Sequence, residues 1–160
     1  KRFEAGDYFL GELVMAGEIM KDCMTILEPK LAGANRETKG NIVIGTVKGD
    51  IHDLGKDIVV MLLRGAGYNV IDLGVDVPKE KFVEAIKESN APLVGMSVLL
   101  SGCQAAMKEA IDAIREAGLD TKVMIGGNYI DEVVMKHVGA DYSPKDASED
   151  LAIAEKIFAQ

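Results

Sequence analysis

The chain of 160 residues predicts a doubly wound α/β fold: a parallel sheet of five strands, covered by helices on both faces and preceded by further helices. Three observations lead there. An apolar, β-branched run (Ile42, Val43, Ile44, Thr46, Val47) reads as a buried strand. From Asn41 onward, strand-like and helix-like periods alternate with short breaks. A polar loop, Asp50-Ile51-His52-Asp53-Leu54-Gly55, then carries the first strand into an amphipathic helix. That layout places ligands at the carboxyl end of a parallel sheet.

The chain is long enough for one domain with a real core and a small appendage. Hydrophobic residues make up 48% and charged residues 28%, as in ordinary globular proteins. The formal net charge of −8, without a basic stripe, argues against nucleic acid as a partner. Cys23 and Cys103 lie far apart with no metal-type spacing, and read as reduced thiols in a cytoplasmic setting. No segment approaches a membrane span in length, and the amino end lacks a signal-peptide pattern. The opening, Lys1 to Tyr8, has no initiator Met and enters partway into a helical region, which predicts a fragment of a longer protein.

Residues Tyr8 to Leu31 read as helices, with Phe9, Leu10, Leu13, Val14, Met20, Met24 and Leu27 at intervals of three and four, Asp7 as N-cap and Pro29 as an interruption. Ala32 to Lys39 is a small, polar linker. The first strand is Asn41–Val47. The first helix after it spans about Gly55–Ala66, with Ile58, Val59, Leu62 and Leu63 inward, and ends at Gly65-Ala66-Gly67. Strand two is Asn69–Asp72, followed by a helix over Lys79–Ser89. Strand three is Leu93–Val98, followed by a helix over Cys103–Ala117 that buries Ala106, Ala110, Ile111 and Ile114. Strand four is Lys122–Ile125, a short helix covers Tyr129–His137, strand five is Asp141–Tyr142, and a last helix spans Ala147–Phe158. Right-handed crossovers give the flavodoxin-like, Rossmann-like order 2-1-3-4-5.

In that order, the loops after strands one, three and four meet at one edge. The first carries Asp50, His52 and Gly55, the second Ser97, Leu99 and Ser101, and the third Gly126 and Gly127. A histidine on such a loop can offer one ring nitrogen to a metal while a carboxylate holds the other and fixes its tautomer. Gly55 lets a large flat ligand approach bare backbone, as does the Gly126-Gly127 pair. Taken singly, each has a plainer reading. His52 decorates a loop, Ser97 and Ser101 cap a helix, and the glycines make a turn. Asp53 and Asp57 read as caps of the helix they begin, and Lys56 as a solvated side chain. His137 sits near a helix end, where its charge suits the dipole.

Asp50-x-His52-x-x-Gly55 resembles the signature of cobalamin (vitamin B12)-binding domains of the base-off, His-on type. The longer string Gly45-Thr-Val-Lys-Gly-Asp-Ile-His-Asp-Leu-Gly-Lys56 is similar to the corrinoid proteins of methyltransferase systems, which carry a methionine-synthase-like B12 domain. Ser97-x-Leu99, Gly126-Gly127 and Gly139-Ala-Asp141-Tyr142 match later parts of the same pattern. The resemblance implies a corrinoid cofactor, cobalamin, cycling among methylcobalamin, Co(I), Co(II) and Co(III). It implies His52 as the lower axial ligand of cobalt. Asp50 would bond His52, and Ser97 would bond Asp50 in turn, a relay that tunes the cobalt. The cofactor tail threads between the loops, so that Asp50, Ile51, His52, Asp53, Gly55, Ser97, Leu99, Ser101, Gly126, Gly127 and Tyr142 form the binding set. Tyr142 lines the tail or packs the last helix.

The strings Phe3-Glu4-x-Gly6-x-Tyr8-Phe9-Leu10 and Leu27-Glu28-Pro29-x-Leu31 resemble the end of the family's four-helix cap module. Residues 1–38 are thus expected to be a partial helical cap with its linker, and residues 39–160 the cobalamin-binding domain. The function implied is a methyl carrier rather than a complete enzyme. A substrate-specific methyltransferase would load it. A second methyltransferase, with tetrahydrofolate or coenzyme M as acceptor, would unload it, and a reductive activase would restore it. Two alternatives stand beside this reading: the cobalamin domain of another B12 enzyme or sensor, and a flavodoxin-like or receiver-like module without cobalt. The second lacks a receiver's acceptor aspartate, because strand three ends in Ser97-Val98-Leu99.

Overall fold

The computed structural model describes residues 9–31 and 38–159. The chain divides into two units, Lys1–Glu37 and Thr38–Gln160. In the first, α1 (Leu10–Leu31) is one continuous helix. Pro29 falls in its last turn and does not divide it into two. The expected cap at Asp7 and the linker at 32–37 lie outside the described residues.

The second unit runs β1 (Asn41–Thr46), α2 (Leu54–Gly65), β2 (Asn69–Asp72), α3 (Lys79–Ser89), β3 (Leu93–Ser97), a 3-10 turn (Ser101–Cys103), α4 (Gln104–Glu116), β4 (Lys122–Gly126), α5 (Glu132–Val138) and α6 (Ala147–Phe158). The described strands form one sheet in the order β2-β1-β3-β4, with every neighbouring pair parallel. β1 is apolar from Ile42 to Gly45 because both of its faces are covered. Val43 enters the core under α3 and α4, and Ile42 and Ile44 enter the core under α2 and α6.

The fifth strand is shorter than expected. Asp141–Tyr142 makes only an isolated bridge, Tyr142 to Met124, so the sheet has four strands among the described residues. The chemistry of the segment accounts for this. The Asp141 carboxylate accepts the Val123 N–H at 2.7 Å, taking a donor that a strand carbonyl would have used. Pro144 then removes an N–H that a longer strand would need.

Helix faces also differ in detail. In α2 the buried residues are Lys56, Val60 and Leu63, while Leu62 is on the exposed side. In α4 Met107 is buried beside Ala110, Ile111 and Ile114, and Ala106 is only half-buried. Asp53 holds the N-cap position of α2 but its side chain makes no capping bond, because its backbone is already helical. True side-chain caps occur at Asp131 and Asp146, each of which accepts two N–H groups. α4 has no side-chain cap, so neither Ser97 nor Ser101 serves there.

One consequence of α6 is measurable. Burial pushes the Asp150 carboxyl up to about 7, and the negative charges of Asp146 and Glu149 add to the rise. The folded value lies above the unfolded 3.8, so stability is lost as pH rises from about 4 to about 7. Asp150→Asn should therefore be more stable than wild type at pH 8, by roughly 1–3 kcal/mol after solvent screening. The difference should vanish near pH 4. Urea denaturation at the two pH values checks this, and equal stabilities at pH 8 would contradict it.

Candidate functional site

β1 connects leftward to β2, whereas β3 connects rightward to β4. The loops leaving β1 and β3 therefore diverge, and the crevice between them is the ligand position of open α/β sheets. Asp50 spans that crevice. It is fully buried, and its two oxygens accept four N–H groups. Oδ1 accepts His52 N at 3.0 Å and His52 Nδ1 at 2.7 Å. Oδ2 accepts the backbone N–H groups of Leu99 at 2.6 Å and Leu100 at 2.9 Å. Burial alone would raise its pKa, but the amides of Leu100, Leu99 and His52, with the His52 ring, outweigh it. They hold the carboxyl well below the usual carboxylate range.

An ionised carboxylate can only accept, so His52 Nδ1 carries the proton. In the neutral ring Nε2 then holds the lone pair, and among the described residues no group bonds it. The His52 side chain is 49% exposed, and Ile51 beside it is 71% exposed. Packing therefore does little to hold the ring, and hydrogen bonds do the work.

The expected relay is corrected at its third member. The Ser97 hydroxyl makes no hydrogen bond to Asp50; two backbone amides of the β3 loop occupy Oδ2 instead. Ser97 contributes its carbonyl, which accepts Val47 N at 3.1 Å and ties the ends of β1 and β3 together. Ser101 is exposed on the 3-10 turn, and Leu99 lies on the rim at 37% exposure. Asp53 is exposed on the loop behind His52. Tyr142 is half-buried and packs on the core under α2 and α6, while its carbonyl accepts Ile125 N.

The two glycines of the β4 loop have different reasons. At Gly127, with φ +146°, a Cβ would fall 1.6 Å from the Val98 carbonyl oxygen, so only glycine lets β4 cross the end of β3. At Gly126, as at Gly55 and Gly102, a Cβ would meet no atom within 4 Å. The protein's own packing does not require those three to lack side chains. They leave bare backbone on the open side of the crevice, where a broad ligand can lie.

Lys56 is not solvated, contrary to expectation. It is 4% exposed, with Nζ donating to Asp57 Oδ1 at 2.5 Å and to Asp72 Oδ2 at 2.7 Å. Burial pulls its pKa down, but the two carboxylates overcome this and raise it. Asp57, expected as a cap, is thus a partner of Lys56. The sequence reading also missed Asp76, whose backbone sits at φ +53°. Its Oδ1 accepts Gly49 N at 2.8 Å and its own N–H donates to the Asp50 carbonyl at 2.9 Å. The loop after β2 thereby clasps the loop that bears His52. The run Leu73–Pro78 was the signal available for this. Among the described residues, no group of three or more His, Cys, Asp or Glu could hold a metal ion. A half-exposed imidazole whose Nδ1 is bonded to a buried carboxylate fits a cobalt ligand that binds through Nε2.

Fold and site together define a doubly wound cofactor-binding domain with a histidine presented from the loop after its first strand. The B12 binding domain model matches residues 40–152. The chain is 40% identical to dimethylamine corrinoid protein 2 of Methanosarcina mazei, over 98% of this chain and 74% of that protein. Among solved structures it resembles the monomethylamine corrinoid protein of Methanosarcina barkeri, with TM-score 0.72 and 31% identity over 98% of this chain and 75% of that one. It also resembles the methanol:cobalamin methyltransferase complex of Methanosarcina barkeri, with TM-score 0.79 and 30% identity over 99% of this chain and 61% of that one. The chain belongs to the B12-binding corrinoid proteins of methyltransferase systems, and its cofactor is a corrinoid. Among the described residues, no helix is long and apolar enough to cross a membrane.

Proposed function

We propose that this chain carries a methyl group between a substrate-specific methyltransferase and a second methyltransferase that passes it to tetrahydrofolate or coenzyme M. When bound, the corrinoid supplies the cobalt on which the methyl group travels. His52 would hold the cobalt through Nε2. The observation that carries this reading is that His52 N and Nδ1 are both bonded to a buried carboxylate while no group among the described residues bonds Nε2. Asp50 keeps the Nδ1 proton in place and makes the ring a stronger donor through Nε2. Ile51, Leu99, Gly55 and Gly126 would contact the ring of the corrinoid, and the loops of Ser97, Ser101, Gly127 and Tyr142 would hold its tail.

The division proposed is a partial helical cap module with its linker over residues 1–38 and the cobalamin-binding domain over residues 39–160. The acidic surface suits transient docking to alternating partners, a reductive activase among them. The setting proposed is the cytoplasm, which agrees with the free thiols of Cys23 and Cys103.

The test is the Co(II) EPR spectrum of protein loaded with hydroxocobalamin and reduced, with His52→Ala alongside. Nitrogen hyperfine splitting should be present in wild type and absent in the variant. An unchanged signal in His52→Ala would remove His52 from the metal.

A further inference from the structure

We propose that Thr46 is a positioning residue for His52: its buried hydroxyl fixes the His52 peptide and thereby the direction in which Nε2 points. This rests on the reading of His52 as a metal ligand. Thr46 ends β1, is fully buried, and donates its hydroxyl to the His52 carbonyl at 3.1 Å. It is itself immobile. Its N–H donates to the Gly74 carbonyl at 2.9 Å, and its own carbonyl accepts Val77 N at 3.0 Å.

Its target has no other polar partner among the described residues. The backbone bonding that enters α2 begins one residue later, with Asp57 N donating to the Asp53 carbonyl at 2.7 Å. The His52 carbonyl is therefore outside the helix ladder. His52 N and Nδ1 go to Asp50, and its carbonyl goes to Thr46. Each polar group of the residue except Nε2 is thus pinned, from two different points of the scaffold.

The choice of side chain supports a role toward the loop. β1 is apolar from Ile42 to Gly45, and a valine at its last position would keep the β-branched shape. A fully buried hydroxyl is unfavourable unless it is bonded. Here its bond is to the loop that presents the half-exposed ring, where packing gives no alternative restraint. A ligand held this way loses less freedom when it meets the metal.

Thr46→Val and Thr46→Ser separate the hydroxyl from the methyl group. Thr46→Val should bind hydroxocobalamin about three- to tenfold more weakly, the equivalent of one hydrogen bond. The fraction of its Co(II) signal showing nitrogen hyperfine splitting should also fall. In cofactor-free protein, long-range 1H–15N correlation should show the His52 ring shifting from one tautomer, protonated at Nδ1, toward a mixture. Thr46→Ser should restore all three readouts. Two outcomes overturn the proposal alone: Thr46→Val matching wild type while wild type shows the splitting, or Thr46→Ser as impaired as Thr46→Val, which would assign the effect to packing of the methyl group. A wild type without nitrogen splitting overturns the ligand assignment and this proposal with it.

Discussion

Replacing Asp50 with asparagine is expected to destabilise the cofactor-free protein by about 2–4 kcal/mol, a large loss for an isosteric change. The carboxylate accepts N–H groups on both oxygens, His52 N and Nδ1 on one and Leu99 and Leu100 on the other. An asparagine amide has one oxygen. Whichever way it is turned, its NH2 group faces two donors inside a fully buried site. The loss also has a pH signature. The folded pKa of Asp50 lies below its unfolded value, so its contribution is complete above the unfolded pKa, near 4. It is lost as pH falls through the folded value. The stability difference between wild type and Asp50→Asn should therefore shrink as pH falls below about 4. Chemical denaturation over pH 3–8 measures it. A flat difference down to pH 3, or a loss under about 0.5 kcal/mol at pH 7, would show that the carboxylate does not hold the two loops together. In the loaded protein, the same variant should weaken nitrogen ligation without abolishing it, because Nε2 remains.

Lys56→Ala should lower stability by about 3–5 kcal/mol, because it removes a buried stem and leaves two carboxylates without their cation. Lys56→Met keeps the packing and isolates the charge. Its loss should be smaller, about 1–2 kcal/mol, since Asp57 and Asp72 both retain contact with solvent. The pair with Asp72 joins the first turn of α2 to the end of β2, on either side of the His52 loop. Asp72 also accepts Gly74 N at 2.9 Å through its other oxygen, so one carboxylate steadies two loops. A double-mutant cycle of Lys56→Met with Asp72→Asn should give a coupling of at least about 1 kcal/mol. Additive losses would mean that Lys56 acts by packing alone.

Elements were legible where local signals were strong. The strand Asn69–Asp72 and the approximate spans of the helices over Lys79–Ser89 and Ala147–Phe158 were readable, because turn residues punctuate them. The order of the strands followed from alternation and handedness. The pairing of Asp50 with His52 was also within reach, since two residues on one short loop share it whatever the rest of the chain does. The truncated fifth strand was not readable, because the Asp141 carboxylate competes for a donor on β4, 18 residues away. Lys56 looked solvated for the same reason, its partner Asp72 lying 16 residues away on another strand.

The sequence by itself determined the class of fold, the loop that bears the histidine and the corrinoid family, all of them properties of contiguous residues. The tertiary structure decided what holds that histidine. Leu99 and Leu100 act through backbone amides, which no side-chain pattern reveals. Thr46 acts through a hydroxyl that a strand-forming run conceals. Asp76 acts from a loop that meets the first one only after β1 and β2 pair. The contacts of Leu99, Leu100 and Asp76 join segments that chain order separates, and hydrogen-bond partners of that kind exist only once the sheet has assembled.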